Sequence, residues 1–178
     1  KSEEMNPLEI IKKYYTEGSE LYRILISHSR HVTEKALSVA YKHPELNLDE
    51  TFIAEASMLH DIGIFMCNAP SIQCFGTHQY IQHGYLGCEI LQREGLYRHS
   101  LVCERHTGAG ITREKIISRN LPLPQRDMLP VSLEEQVICY ADKFYSKSKL
   151  GKPHTIEYIV SHLAKYDQED VEKFKGWH

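Results

Sequence analysis

Apolar residues along the chain recur mainly at intervals of three and four, and strand-like alternation is scarce, so the pattern predicts an all-α protein. Leu21, Leu25, His28, Val32, Ala36 and Val39 form one stripe of a long first helix, which turns that face to a core. It should end near Lys42 and His43, because a residue preceding proline, here Pro44, resists the helical region. Asn47 followed by Glu50 reads as a capping box opening a helix over Asp49 to His60, closed by Gly63. Residues 64–82 lack a clean period and hold asparagine, proline and glycine, which predicts an ordered loop. A third helix is expected over Gly84 to Glu94, stopping at Gly95, and a fourth over Tyr97 to Arg105, broken at Gly108 and Gly110. Pro122, Pro124 and Pro130 make residues 119–131 a loop. Ser132 with Glu135 is a second capping box, opening a helix whose inner face is Val137, Ile138, Ala141, Asp142 and Tyr145. Residues 154–175 read as a charged amphipathic helix or pair of helices. The expectation is a compact all-α domain of five or more helices, not a simple four-helix bundle.

Four polar residues fall where these stripes call for apolar ones. His28 lies in the first stripe, His60 and Asp61 end the helix that buries Ile53, Ala56 and Ser57, and Asp142 sits four residues after Ile138. Singly, each has a plain structural reading: a hydrogen-bonded core histidine, a helix-end pair, an ion pair with Lys143. Jointly they do not, since carboxylates and imidazoles are costly to bury unless paired or bound to a cation. Several of them converging from separate helices point to a metal site.

Composition narrows the function classes. Lysine plus arginine (21) nearly balance aspartate plus glutamate (24), for a formal charge of −3, so no basic excess equips the chain as a dedicated nucleic-acid binder. No apolar run approaches the ~20 residues that span a bilayer, and no charged-then-apolar leader follows Lys1. Five cysteines without C-x-x-C spacing argue against a disulfide framework, and a reducing cytoplasm is the expected location. The length of 178 residues suits one domain, 1–178, with a metal-site core over about 20–148 and a C-terminal helical extension over 149–178. Eleven histidines are many for a residue whose special capacities are metal binding and proton transfer.

The ordered set His28-Ser29-x-x-Val32, Leu59-His60-Asp61-Ile62-Gly63 and Ala141-Asp142-Lys143-Phe144 closely resembles the HD superfamily of metal-dependent phosphohydrolases in its HDIG form, over residues of about 20–148. The resemblance implies the all-α HD fold, with His28, His60, Asp61 and Asp142 as core ligands. His83-Gly84-Tyr85-Leu86-Gly87 and Arg105-His106-Thr107-Gly108 are similar to segments of the dinuclear branches, which include bacterial hydrolases of symmetrical diadenosine tetraphosphate. That implies His83 and His106 as further ligands, two ions rather than one, and Asp61 as the bridging carboxylate. His31, one turn after His28, and His78, in the 64–82 loop, are the rival ligands. Two departures stand out. Many HDIG proteins follow the glycine with a phosphate-contacting lysine, where this chain has Ile64-Phe65. The H-H pair and G-Y-P signature of cyclic-dinucleotide phosphodiesterases is replaced by a single His106, which argues against cyclic di-GMP as substrate.

Imidazole and carboxylate ligation suits Fe, Mn, Zn, Co or Ni and disfavours Mg, which prefers oxygen donors. Two such ions would turn a water into a nucleophile and stabilise charge on a phosphoryl group. His60 and Asp61 are the expected catalytic pair, with Lys143 as a catalytic and phosphate-contacting lysine and Arg105 and Thr107 as further substrate contacts. Phe65, Phe75, His78 and Tyr80 make the 64–82 loop a candidate lid or stacking wall. The expected partner is a small phosphorylated substrate, a nucleotide first. A homodimer through the C-terminal helices is open, although no heptad run supports it. The alternatives are a di-iron oxygenase on the same scaffold and a nucleotide-sensing binding domain.

Overall fold

The computed structural model describes residues 5–178. Nine helices are found among them: α1 (Pro7–Ile11), α2 (Glu20–Lys42), α3 (Glu50–Leu59), α4 (His83–Arg93), α5 (Tyr97–Arg105), α6 (Arg113–Ser118), α7 (Leu133–Asp142), α8 (Ile156–Ala164) and α9 (Gln168–Trp177). The one sheet among the described residues is an antiparallel pair of two-residue strands, β1 (Asn68–Ala69) and β2 (Cys74–Phe75), with Asn68 opposite Phe75. The fold is all-α, as the periodicity predicts.

Local chemistry sets most of the boundaries. Ser19 caps α2 by accepting from the Tyr22 amide at 3.1 Å, and the helix stops at His43 before Pro44. Ser132 and Glu135 form the reciprocal capping box of α7, at 3.1 and 3.0 Å. The cap of α3 differs from expectation. Asp49, not Asn47, accepts from the Phe52 amide at 3.1 Å, while Asn47 takes a left-handed conformation (φ 48°) that ends the short turn Pro44–Leu46. Asparagine tolerates that region, so the chain uses it to stop one element before starting the next. Residues 64–82 are pinned, as an ordered loop should be. The Asn68 amide donates to the His78 carbonyl at 2.8 Å and the Gly76 amide to the Cys67 carbonyl at 2.9 Å.

Helix α2 runs through the middle and packs on α3 and α7. Val32, Ala36, Ile53, Ala56 and Ile138 are fully buried there, while Leu21 and Val39, at the ends of the predicted stripe, are only half-buried. Each fully buried Val or Ile contributes roughly 1.5–3 kcal/mol. A second core joins Leu25, Leu59, Ile62, Ile64 and Leu91 to Ile11 and Tyr15, from a stretch where no helix was expected. The Tyr15 hydroxyl donates to the Ile62 carbonyl at 2.7 Å and so braces the loop after α3 from behind. The C-terminal pair is two helices, α8 and α9, closed on Phe144 by Ile159, Leu163, Val171 and Phe174. All five cysteines are buried and free, and no helix among the described residues is long and apolar enough to cross a membrane.

Candidate metal centre

The six predicted ligands come together in the interior. His28 lies within α2, whereas the other five sit at or beside helix ends: His60 and Asp61 after α3, His83 opening α4, His106 capping α5, and Asp142 closing α7. Their atoms fall into two groups sharing Asp61, one of His28, His60, Asp61 and Asp142 and the other of Asp61, His83 and His106. The atoms in each group lie within 4.8 Å of one another.

One local device orients three of the imidazoles. The Nδ1 of His60, His83 and His106 each faces the carbonyl three residues earlier, Ser57 at 2.6 Å, Tyr80 at 2.6 Å and Cys103 at 2.7 Å. A carbonyl only accepts, so Nδ1 carries the proton and, in the neutral ring, Nε2 presents its lone pair inward. The Nε2 atoms of His83 and His106 then stand 3.0 Å apart. Two lone pairs at that distance repel unless a cation or proton lies between them.

Asp61 is the hinge of the arrangement and is wholly buried. Its Oδ2 lies 3.1 Å from His28 Nε2 and 3.0 Å from His60 Nε2, and its Oδ1 lies 3.3 Å from His83 Nε2 and 3.2 Å from His106 Nε2. Despite these distances neither oxygen has a hydrogen bond of acceptable geometry. Asp61 therefore lies among four imidazole nitrogens without pairing with any one of them. Two ligands each ~2.1 Å from one ion and at right angles stand ~3.0 Å apart, so this spacing fits a divalent transition metal. Asp142 Oδ1 completes the first group, 3.0 Å from His28 Nε2 and 3.1 Å from His60 Nε2.

The electrostatics agree with a cation-binding cluster. Burial alone would raise the Asp61 carboxyl, but the charges of His60 and Lys147 outweigh it and hold it well below the usual range. Asp142 is likewise held down against burial, by Lys143 and by hydrogen bonds from His28 and His60. His60, which burial would lower, is raised to about 10 by Asp61 and Asp142. His106 is lowered to about 4, chiefly by burial. Protons and metal ions thus compete for the same imidazoles.

The rival ligands lie outside both groups. His31 directs Nδ1 to the Ser27 carbonyl at 2.7 Å and packs at a tilt against Tyr145, and His78 directs Nδ1 to the Met66 carbonyl at 3.1 Å, holding the loop. Lys143, expected to meet phosphate, donates to the His106 carbonyl at 2.9 Å and to Asp142 at 3.1 Å, and also borders a cavity beside the centre. Arg105 has another partner than the one expected: its guanidinium donates to Glu135 at 2.6 Å, tying α5 to the capping box of α7. A part-buried arginine already matched by a carboxylate is poorly placed to clamp a substrate. Thr107 is a turn residue, its carbonyl accepting from the Gly110 amide at 2.9 Å. In the 64–82 loop Phe65 packs edge-on against Tyr15, Phe75 is exposed, and Tyr80 stacks on the His83 ring with centroids 4.4 Å apart.

Lys147 is the site residue that sequence reasoning missed. The strap between α7 and α8 carries it back over the centre and is clamped where the His154 amide donates to the Phe144 carbonyl at 2.7 Å. The Lys147 ammonium lies 2.9 Å from Asp61 Oδ2 and is 13% exposed. Its only sequence signal is a place four residues after Lys143, which is too common to single out.

The HD domain profile matches residues 25–146. An uncharacterised protein of Methanocaldococcus jannaschii is 34% identical over 145 residues, 80% of this chain and 75% of that protein. A tRNA (cytidine(56)-2'-O)-methyltransferase of Thermoplasma volcanium is 31% identical over 170 residues, 95% of this chain but 43% of the relative. Its namesake in Picrophilus torridus is 32% identical over 128 residues, 71% of this chain and 33% of the relative. The matches thus span less than half the length of either methyltransferase. No solved structure matches the chain.

Proposed function

The chain belongs to the HD-domain family, and from that premise we propose that it is a metal-dependent phosphohydrolase with a two-ion centre, acting on a phosphate ester or anhydride of a nucleotide or similar small molecule. The observation that carries this reading is the Asp61 carboxylate, buried without a well-formed hydrogen bond, one oxygen facing His28 and His60 and the other His83 and His106. It supports Asp61 as the bridging ligand, with His28, His60 and Asp142 completing one site and His83 and His106 the other.

The donor set favours Fe, Mn, Zn, Co or Ni. When bound, such a pair supplies Lewis acidity toward phosphoryl oxygens and an acidified water as nucleophile. The protein's own contribution is orientation and charge. The Nδ1–H bonds of His60, His83 and His106 to backbone carbonyls hold each ring in its ligating tautomer. Lys143, kept in place by the His106 carbonyl and Asp142, sets a positive charge at the cavity wall where phosphoryl oxygens would lie. The methyl transfer named for two relatives belongs to proteins more than twice as long as the stretch they share with this chain. A cluster of imidazoles and carboxylates suits metal ligation, and methyl transfer is not part of this reading.

The test is elemental analysis of the purified protein followed by phosphate-release assays over nucleotides and dinucleoside polyphosphates. We expect two transition-metal ions per chain and release of phosphate, with both lost in His60→Ala and Asp61→Ala while far-UV circular dichroism is retained. Undiminished turnover in either variant would eliminate the assignment. Oxygen uptake by an iron-loaded protein that releases no phosphate would replace it with the oxygenase alternative.

A further inference from the structure

A cavity of about 490 Å³ opens beside the metal centre, with Asp142, Lys143 and Lys147 at one end and α8 along its side. That volume is within the ~300–1,000 Å³ of small-molecule sites. We infer that this cavity is the substrate subsite, and that the substrate is a phosphate ester whose alcohol carries a planar aromatic ring, with Lys147 meeting the phosphoryl group and the rings of α8 and its leading turn meeting the aromatic one. The inference rests on the hydrolase reading above and names the substrate class for that site.

The phosphoryl end follows from the placement of Lys147. Its ammonium borders the cavity, 2.9 Å from Asp61 Oδ2 and 5.7 Å from the centroid of the Tyr80 ring. Its flexible four-carbon stem lets the charge follow an incoming anion. The aromatic end follows from a row of rings one helical turn apart. His154 stacks on Tyr158 with centroids 4.3 Å apart, and Tyr158 on His162 at 5.8 Å. All three border the cavity, and Tyr158 remains 49% exposed, so the row is not consumed by the core. With their faces turned to one another, the rings offer edges, imidazole nitrogens and a phenol to a planar, hydrogen-bonding ligand. The helix α8 lies beyond residue 146, where the family match ends.

Metal-loaded wild type, Tyr158→Ala, His162→Ala and Lys147→Ala are compared by KM for adenosine 5'-monophosphate, phenyl phosphate and glycerol phosphate. Equilibrium dialysis with adenosine, which carries no phosphate, measures the aromatic end alone. Loss of one ring should weaken adenosine binding about fivefold and compress the preference for adenosine monophosphate over glycerol phosphate by a similar factor. Lys147→Ala should raise KM for all three esters and keep adenosine affinity. Phenyl phosphate grouping with adenosine monophosphate assigns the wall to any aryl ester; grouping with glycerol phosphate assigns it to a hydrogen-bonding nucleobase. Adenosine affinity and KM ratios equal to wild type in both ring variants would overturn the inference. Ring-dependent adenosine binding without phosphate release from any ester would remove the hydrolase reading and leave the cavity assignment standing.

Discussion

A histidine becomes a predictable ligand only when one nitrogen is committed elsewhere, and three residues here achieve that with a carbonyl three positions earlier. The consequence for His83 is specific, because it contacts only the Oδ1 side of Asp61. His83→Ala should reduce bound metal from two ions to one, leaving the His28–His60–Asp142 side filled and helicity intact. Elemental analysis reads this directly, and two ions retained per chain would remove His83 from the centre. His28, His60, Asp61 and Asp142 were legible because each interrupts an apolar stripe, and burying such groups without a partner is expensive. His83 and His106 fall at helix ends where polar residues are ordinary, so only resemblance marked them. Lys147 had neither signal.

At the scale of elements, close approach of backbones matters more than helix lengths. Gly63 appears in the sequence as a helix stop, yet its φ of −83° is open to any residue. What requires glycine is space, since a Cβ there would meet the His83 carbonyl oxygen at 2.3 Å and the Gly87 amide nitrogen at 2.5 Å. Gly84 similarly lets α4 sit against the Cys103 carbonyl at the end of α5. These contacts set the distance between Asp61 and the His83–His106 pair. Gly63→Ala should therefore destabilise the protein by about 1–3 kcal/mol, as overpacking against backbone does, and weaken the second metal site more than the first. Thermal unfolding with metal titration tests this, and an unchanged Tm would show that the helices can shift freely. The short helices α1 and α6 escaped the periodicity because five or six residues hold too little of a 3.6-residue repeat to register.

For the whole molecule, the centre joins α2, α4, α5 and α7 to the turn after α3, so ions should act as cross-links of the fold. A ligand at 100 times its Kd stabilises the native state by about 2.7 kcal/mol. For a chain of this size, each kcal/mol shifts Tm by about 2–4 °C. Chelation should then lower Tm by at least about 5 °C at neutral pH. The sign with pH follows from His60, whose proton is held up to about 10 by Asp61 and Asp142 when no metal competes. Metal entry must displace that proton, so affinity rises with pH and the chelator effect shrinks as pH falls. Calorimetric scans at several pH values check both points, and a Tm indifferent to chelator throughout would deny the ions a structural role.

The sequence by itself determined the helical class, most helix boundaries and the four polar residues, His28, His60, Asp61 and Asp142, that break the apolar stripes. Periodicity, caps and misplaced polar groups are local signals that act within a few residues. Tertiary structure alone decided that Arg105 answers to Glu135 and that Lys147 returns over the centre from beyond α7. Those facts depend on how closely backbones approach and where a strap crosses, which no local pattern along the chain encodes.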